Sequence, residues 1–352
     1  MRVLIVGPAL NGPGGVQNYY RLILPKLPDS VEYLQIGRVA RGSKNSFSQL
    51  WEDLALFKKK ISNFDLVIFN PTLCSRCFFR DIPFFFLARK SQTQTIVFFR
   101  GWRQNFEKKI TRWLLPIFRV FYNKIDGIIV LASEFKQTLR KWGYTNPIWL
   151  EQTVVDDSWF EEKLSTKEKK DTPFRILFLS RIETYKGIYE LADGLSLLPK
   201  GSFICEMVGD GSEFENFKKY VSNKKYDFFL FMGYLNGTEK RKAYQRADLF
   251  ILPSYTEGLP NSLLEAMASG LPAIVSSVGG IPDFFKNEKM GVLLEQVNAK
   301  EIASAVQHLL DNPEKVQKIG LYNYQYAFRF CTIEAAKRLL KIFEKIISNK
   351  GN

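Results

Sequence analysis

Two carboxylates, Glu257 and Glu265, stand eight residues apart in the segment Pro253-Ser254-Tyr255-Thr256-Glu257-Gly258-Leu259-Pro260-Asn261-Ser262-Leu263-Leu264-Glu265-Ala266-Met267-Ala268-Ser269-Gly270. The order of residue types there reads as strand, glycine loop, helix. Asn261 or Ser262 is suited to cap that helix, whose free N–H groups and positive dipole end form a ready site for phosphate. Glu265 then falls about one turn into the helix, and Glu257 stays in the loop before it. Carboxylates so placed flank an anion-binding terminus and can accept hydroxyl hydrogens on both sides of a diphosphate. The plainer alternative is a capping pair with a surface glutamate, the usual fate of a charged side chain.

Other residues carry weaker signals. Gly209-Asp210-Gly211 forms a turn after an apolar run, where close backbone approach to a nucleotide and ordinary turn chemistry are equally good readings. Gly14 and Gly15 precede a helix bearing Tyr19 and Tyr20 and can let backbone approach an anion. Cys74 and Cys77 form a C-x-x-C, but no second pair or nearby histidine completes a metal site, so they read as ordinary thiols. The single histidine, His308, lacks the base-and-orienter constellation of catalysis and reads as structural. No D-x-D occurs in the chain, so no metal clamp is expected.

These groups must be held by a large framework. At 352 residues the chain exceeds what one core usually organises, which favours two domains of roughly 150 to 200 residues. With 46% hydrophobic and 24% charged residues, disorder and collagen-like repeats are excluded. Buried strands are expected at Val3–Val6, Leu66–Phe69, Thr95–Phe99 and Gly127–Leu131, with helices between them. The rhythm restarts at Ile176–Leu179, Phe203–Val208, Phe228–Phe231, Leu249–Leu252 and Ala273–Val275. Two doubly wound parallel α/β domains follow, with ligand at the carboxyl ends of the strands. A Lys-rich interval, Lys163–Thr172, is the expected linker, so the first domain is placed at residues 1–165 and the second at 173–330. The remainder, residues 331–352, is a helix with Leu339, Leu340, Phe343, Ile346 and Ile347 on one apolar face.

Charge divides unevenly: residues 1–150 carry 23 Lys and Arg against 9 Asp and Glu, and residues 151–352 carry 27 against 27. The whole excess of +14 lies in the first half, which suggests an anionic partner there. Arg80, Asp81, Arg89 and Lys90 interrupt the most Phe-rich region, so no membrane span is expected. Four scattered cysteines and a strand-like amino terminus point to a cytoplasmic chain. The segment Phe106–Phe121 places Phe106, Ile110, Trp113, Ile117 and Phe121 on one helical face and Lys108, Arg112 and Arg119 on the other. It reads either as a helix packed inward with a solvated basic face, or as a helix that holds the protein peripherally at an anionic membrane.

The segment from Glu257 to Glu265 closely resembles the two-glutamate signature of the retaining glycosyltransferases of family 4, GT-B enzymes of the glycosyl transferases group 1. Further matches follow in order at Ser180-Arg181, Tyr185-Lys186-Gly187, Val208-Gly209-Asp210-Gly211, Met232-Gly233-Tyr234 and Ala247-Asp248. In the first domain the likeness rests on Gly14-Gly15-Val16, Val130-Leu131-Ala132-Ser133-Glu134 and Thr153-Val154-Val155-Asp156. The resemblance implies two Rossmann-like domains facing across a cleft, with the final helix packing back on the first. It implies that Glu257 contacts donor-sugar hydroxyls and Glu265 the ribose, and that the backbone of Gly258, Leu259, Pro260, Asn261 and Ser262 holds the distal phosphate. Gly15, Gly209 and Gly211 join the donor site by the same likeness. Arg181 and Lys186 match the basic pair that neutralises the departing diphosphate, a task fixed positive charge can perform without metal.

One departure concerns the first domain, where the family often has a histidine after the strand at Thr95–Phe99. This chain has Arg100-Gly101-Trp102, which leaves Arg100 as the candidate sugar or acceptor contact. The expected activity is transfer of a sugar, with retention, from a UDP- or GDP-sugar to a glycan or lipid-linked saccharide in surface polysaccharide (for example lipopolysaccharide) biosynthesis, with no cofactor or metal. The competing readings are a nucleotide-sugar epimerase or glycan phosphorylase of the same architecture, and a basic nucleic-acid-binding protein. No nucleic-acid motif accompanies the basic half, so a nucleic-acid partner is not expected.

Overall fold

The computed structural model describes residues 1–12, 14–37, 46–161 and 173–348. It divides into two compact units, Met1–Val154 with Thr332–Asn352, and Val155–Cys331. In the first unit the strands are β1 (Val3–Gly7), β2 (Val31–Gln35), β3 (Leu66–Phe69), β4 (Thr72–Leu73), β5 (Gln94–Phe98), β6 (Gly101–Trp102), β7 (Gly127–Val130) and β8 (Ile148–Leu150). The second unit holds β9 (Phe174–Leu179), β10 (Phe203–Val208), β11 (Phe229–Gly233), β12 (Leu249–Leu252), β13 (Ala273–Ser276) and β14 (Gly291–Leu294).

Each unit is built on a six-stranded parallel sheet, in the order β2-β1-β3-β5-β7-β8 in the first and β11-β10-β9-β12-β13-β14 in the second. Every residue of β1, β3, β5 and β7, and of β12 and β13, is buried. Helices cover both faces of such sheets, so these strands read as unbroken apolar runs without the alternation of a half-exposed strand. Both units are doubly wound Rossmann-like domains, as the strand rhythm implies.

The edges differ from the expectation. Strands β2, β8 and β14 escaped it because edge positions are only partly covered: β2 carries Glu32 and Gln35 beside a single buried residue, Leu34. The crossing between units also falls earlier than residue 165. Residues 155–160 are held on the second unit, where Val155 bridges Cys331. Arg241 donates to the Ser158 carbonyl at 2.7 Å, and Phe160 stacks on Phe328 at 4.2 Å between ring centroids. The expected linker, Lys163–Thr172, lies outside the described residues. The carboxyl-terminal helix, Thr332–Ser348, belongs to the first unit and buries Leu339, Ile342, Phe343 and Ile346 there. Arg338 on that helix ion-pairs with buried Glu151 at 2.8 Å, and Gln94 donates to the Ile346 carbonyl at 3.0 Å.

The amphipathic segment runs as an α-helix (Gln104–Lys109), a π-helical turn (Ile110–Leu114) and a second α-helix (Leu115–Tyr122). Pro116 has no N–H to donate back into the preceding turn, and a π turn accommodates the missing bond. The wider turn rotates the apolar seam. Phe106 and Ile110 are buried as expected, but Phe118 and Tyr122 complete the seam, and Trp113 turns out to solvent at 70% exposure.

Candidate functional site

In the second sheet β9 lies between β10 and β12, so the crossovers on its two sides depart in opposite senses. Loops leaving the carboxyl ends of β9 and β12 therefore meet at a switch point, the position where open α/β sheets bind ligands. The loop after β9 contains a 3₁₀ turn, Thr184–Lys186, ending at Gly187 with φ +68°. A Cβ at Gly187 would lie 2.1 Å from the Pro253 carbonyl oxygen at the end of β12, so only glycine lets the two loops pack together.

That packing brings Lys186 Nζ to 2.6 Å from Glu257 Oε1, with the two side chains only 8% and 9% exposed. Ser254 Oγ donates to the same oxygen at 2.7 Å. Both bonds end on Oε1, and no described residue engages Oε2. Arg181 is exposed and hydrogen-bonds the Tyr185 hydroxyl. The Arg181 guanidinium and Lys186 Nζ lie 5.5 Å and 5.2 Å from the centroid of the Tyr185 ring. One aromatic ring thus gathers two cations, one beside a carboxylate and one at the surface.

Glu265 lies on the helix Asn261–Ala268. Its Oε1 accepts from Lys240 Nζ at 2.6 Å and its Oε2 from Tyr244 Oη at 3.0 Å. Lys240 and Tyr244 are four residues apart on the helix Gly237–Arg246, hence on one face of it. Burial, reinforced by the Glu265 carboxylate, pushes the Tyr244 hydroxyl well above its ordinary pKa, so it remains a donor. Residue type alone does not single out Ser254, Lys240 or Tyr244; only the i,i+4 spacing of the last two hints at them.

The loop between the glutamates differs in detail from the expectation. Pro260, with φ −73° and ψ 124°, occupies the cap position of the helix, and no side chain caps it by a hydrogen bond. The proline ring fixes an extended entry, so Asn261 and Ser262 already lie inside the helix and cannot cap it. Leu259 is buried, and the Gly258 carbonyl accepts from Gly280 N at 2.6 Å. Gly279 has φ +62°, and a Cβ there would lie 2.2 Å from the Glu257 carbonyl oxygen. The pair Gly279-Gly280, visible in the sequence but unassigned, therefore braces the Glu257 loop.

Gly209 and Gly211 have a packing reason of their own. Their Cβ atoms would lie 1.8 Å and 2.2 Å from the carbonyl oxygens of Ser180 and Ile182, so they seat the loop that carries Arg181. Gly15 is different, since a Cβ there would meet nothing within 4 Å. It opens the helix Gly15–Ile23 of the first unit. Arg100, also in the first unit, follows β5, and its guanidinium stands 3.8 Å from the Tyr19 ring centroid and 4.4 Å from that of Phe98.

His308 lies at the surface, 2.8 Å from Lys315 Nζ, and takes no part in either group. Cys74 and Cys77 are free thiols. Among the described residues no cluster of three or more His, Cys, Asp and Glu side chains could hold a metal ion, and no helix is long and apolar enough to cross a membrane.

Residues 160–326 match the family model of the glycosyl transferases group 1, the stretch that carries Arg181, Lys186, Glu257 and Glu265. The N,N'-diacetylbacillosaminyl-diphospho-undecaprenol alpha-1,3-N-acetylgalactosaminyltransferase of Campylobacter jejuni is 27% identical over 208 residues, 58% of this chain and 51% of that protein. The capsular polysaccharide biosynthesis glycosyltransferase CapM of Staphylococcus aureus is 28% identical over 195 residues, 54% of this chain and 50% of that one. The chain thus spans about half the length of the curated relatives it matches. The Anabaena protein HepE, solved in complex with UDP, superposes with a TM-score of 0.78 at 14% identity, covering 98% of this chain and 100% of that one. The fold is that of the GT-B glycosyltransferases.

Proposed function

We propose that this chain is a retaining glycosyltransferase that moves a sugar from a UDP- or GDP-sugar to a hydroxyl of a glycan or lipid-linked saccharide during surface polysaccharide assembly. The observation that carries this reading is the divided carboxylate of Glu257. Its Oε1 is fixed by Lys186 and Ser254, and its Oε2 is left to accept from a sugar hydroxyl. Beside it, Arg181 and Lys186 share the Tyr185 ring and supply charge for a diphosphate. Glu265, oriented by Lys240 and Tyr244, is the group for the ribose diol. The names of the capsular and undecaprenol-linked relatives support an acceptor of this kind.

In the reaction so read, the acceptor oxygen bonds to the anomeric carbon as the bond from that carbon to the diphosphate oxygen breaks. The acceptor proton passes to the leaving phosphate, and no side chain serves as nucleophile. Arg181 and Lys186 hold the negative charge that grows on the diphosphate, a preorganised electrostatic role that needs no metal ion. The excess charge of the first half and the exposed Trp113, with the Arg112 guanidinium 5.0 Å from its ring centroid, support peripheral attachment to the cytoplasmic face of an anionic membrane. The test is a donor screen. UDP, GDP and their sugars are compared for thermal stabilisation, which specific binding raises by mass action. A product assay with lipid-linked acceptors follows; no stabilisation by any nucleotide would refute the reading.

A further inference from the structure

Two side chains of the first unit hold buried polar atoms without the partners their chemistry demands. Arg100 Nε and Nη1 and the Tyr19 hydroxyl are all removed from solvent, and none has a hydrogen-bond partner among the described residues. The neighbouring Tyr20, equally buried, donates to Asn70 Oδ1 at 2.5 Å. The guanidinium is half-buried and stacked on Tyr19 and Phe98. Stacking on the ring faces favours the cation, but it supplies no acceptor for the N–H groups.

The charge of Arg100 is not matched by an ion pair either. Glu151, Arg100 and Arg338 are among the charged groups that act on the Tyr19 hydroxyl, and Glu151 is already taken by Arg338 at 2.8 to 2.9 Å. Among the described residues no carboxylate forms an ion pair with Arg100, so its charge is left unmatched. A guanidinium only donates hydrogen bonds, so what completes it is an acceptor that also carries negative charge.

We propose that Arg100 and Tyr19 form an oxyanion subsite at the carboxyl edge of the first sheet, which takes the carboxylate or phosphate of an acidic saccharide substrate. That the ligand is a saccharide rests on the transferase reading above; that it is an oxyanion rests on these two side chains alone. Arg100 donates to the oxyanion from its unpartnered guanidinium N–H groups, and Tyr19 donates a further bond from its hydroxyl. Charge-assisted bonds of this kind are about twice as strong as neutral ones, so the subsite distinguishes an acidic sugar from its neutral counterpart.

The test uses the full chain and two matched pairs of probes, with affinities from calorimetry. UDP-glucuronate against UDP-glucose asks whether the oxyanion belongs to the donor, and glucose 6-phosphate against glucose, without nucleotide, asks whether it belongs to the acceptor. In at least one pair the acidic member is expected to bind about tenfold tighter, a preference that Arg100→Gln abolishes and Tyr19→Phe reduces several-fold, with UDP affinity unchanged in both variants. If Arg100→Gln does not fold, Tyr19→Phe alone decides, and an undiminished preference in it contradicts the proposal. Equal affinities within both pairs would overturn it, as would a preference that survives Arg100→Gln. Failure of UDP and GDP to bind would instead remove the transferase reading and leave the nucleotide-free pair to test the subsite.

Discussion

Lys186 donates to Glu257 across 2.6 Å with both side chains less than one-tenth exposed. A pair so far removed from water is strongly destabilised by losing one partner and much less by losing both, because the survivor is a buried, uncompensated charge. Glu257→Ala is accordingly expected to lower the unfolding free energy by about 3 kcal/mol or more. Lys186→Met combined with Glu257→Leu should cost far less than the two single losses together. Denaturant unfolding of the four proteins in a double-mutant cycle checks this, and simple additivity would mean that the pair is not coupled.

Tyr244→Phe removes the buried donor to Glu265 and leaves the ring in place. One neutral-to-charged bond is worth roughly 1.5 to 3 kcal/mol, so affinity for UDP or GDP should fall by about tenfold or more as the carboxylate loses its orientation. Equal nucleotide affinity in the folded variant would show that Glu265 is positioned by Lys240 alone.

Arg181→Ala should lower turnover by about 3 kcal/mol in the transition state, the usual cost of removing a preorganised group from developing charge. Arg181 is exposed, so stability should hardly change. Chelator should leave the wild-type rate as it is; loss of transfer in EDTA, with recovery on adding a divalent metal, would contradict leaving-group stabilisation by the cationic pair.

Much of this arrangement was legible in the sequence, and the parts that were not share a physical cause. Strands such as β3 and β12 are buried on both faces, so their residues are uniformly apolar and announce themselves. Three of the four edge strands of the six-stranded sheets, β2, β8 and β14, and the residues that orient a functional group do not. Lys240 and Tyr244 are ordinary helix residues whose partner is 25 and 21 residues away, and Ser254 gains meaning only when Lys186 is folded against Glu257. Gly209 and Gly211 show the converse. They were legible as special positions, but contacts with the Ser180 and Ile182 backbone require glycine there before any ligand is considered. Trp113 was placed on the wrong face because the π turn before Pro116 shifts the helical phase, which a regular 3.6-residue pattern cannot express.

Peripheral attachment makes its own prediction. Lys108, Lys109 and Arg112 are exposed beside Trp113, and each cation near an anionic surface contributes about 1 kcal/mol. Replacing the three with Ser should cut sedimentation with anionic liposomes at low salt and leave nucleotide affinity unchanged. Attachment should also fade as ionic strength rises. Equal sedimentation of the wild-type protein with neutral and anionic vesicles would rule this attachment out.

The division of labour between the two glutamates is tested most directly by calorimetric titration of UDP, GDP and their sugars into the wild-type chain, Glu265→Ala and Glu257→Ala. Glu265→Ala should weaken bare nucleotide and nucleotide-sugar alike. Glu257→Ala, in whatever fraction remains folded, should bind the bare nucleotide as the wild type does and lose only the added affinity that the sugar brings. Wild-type affinity for the nucleotide in Glu265→Ala, or an equal loss for both ligands in Glu257→Ala, would contradict a ribose role for the first carboxylate and a sugar role for the second.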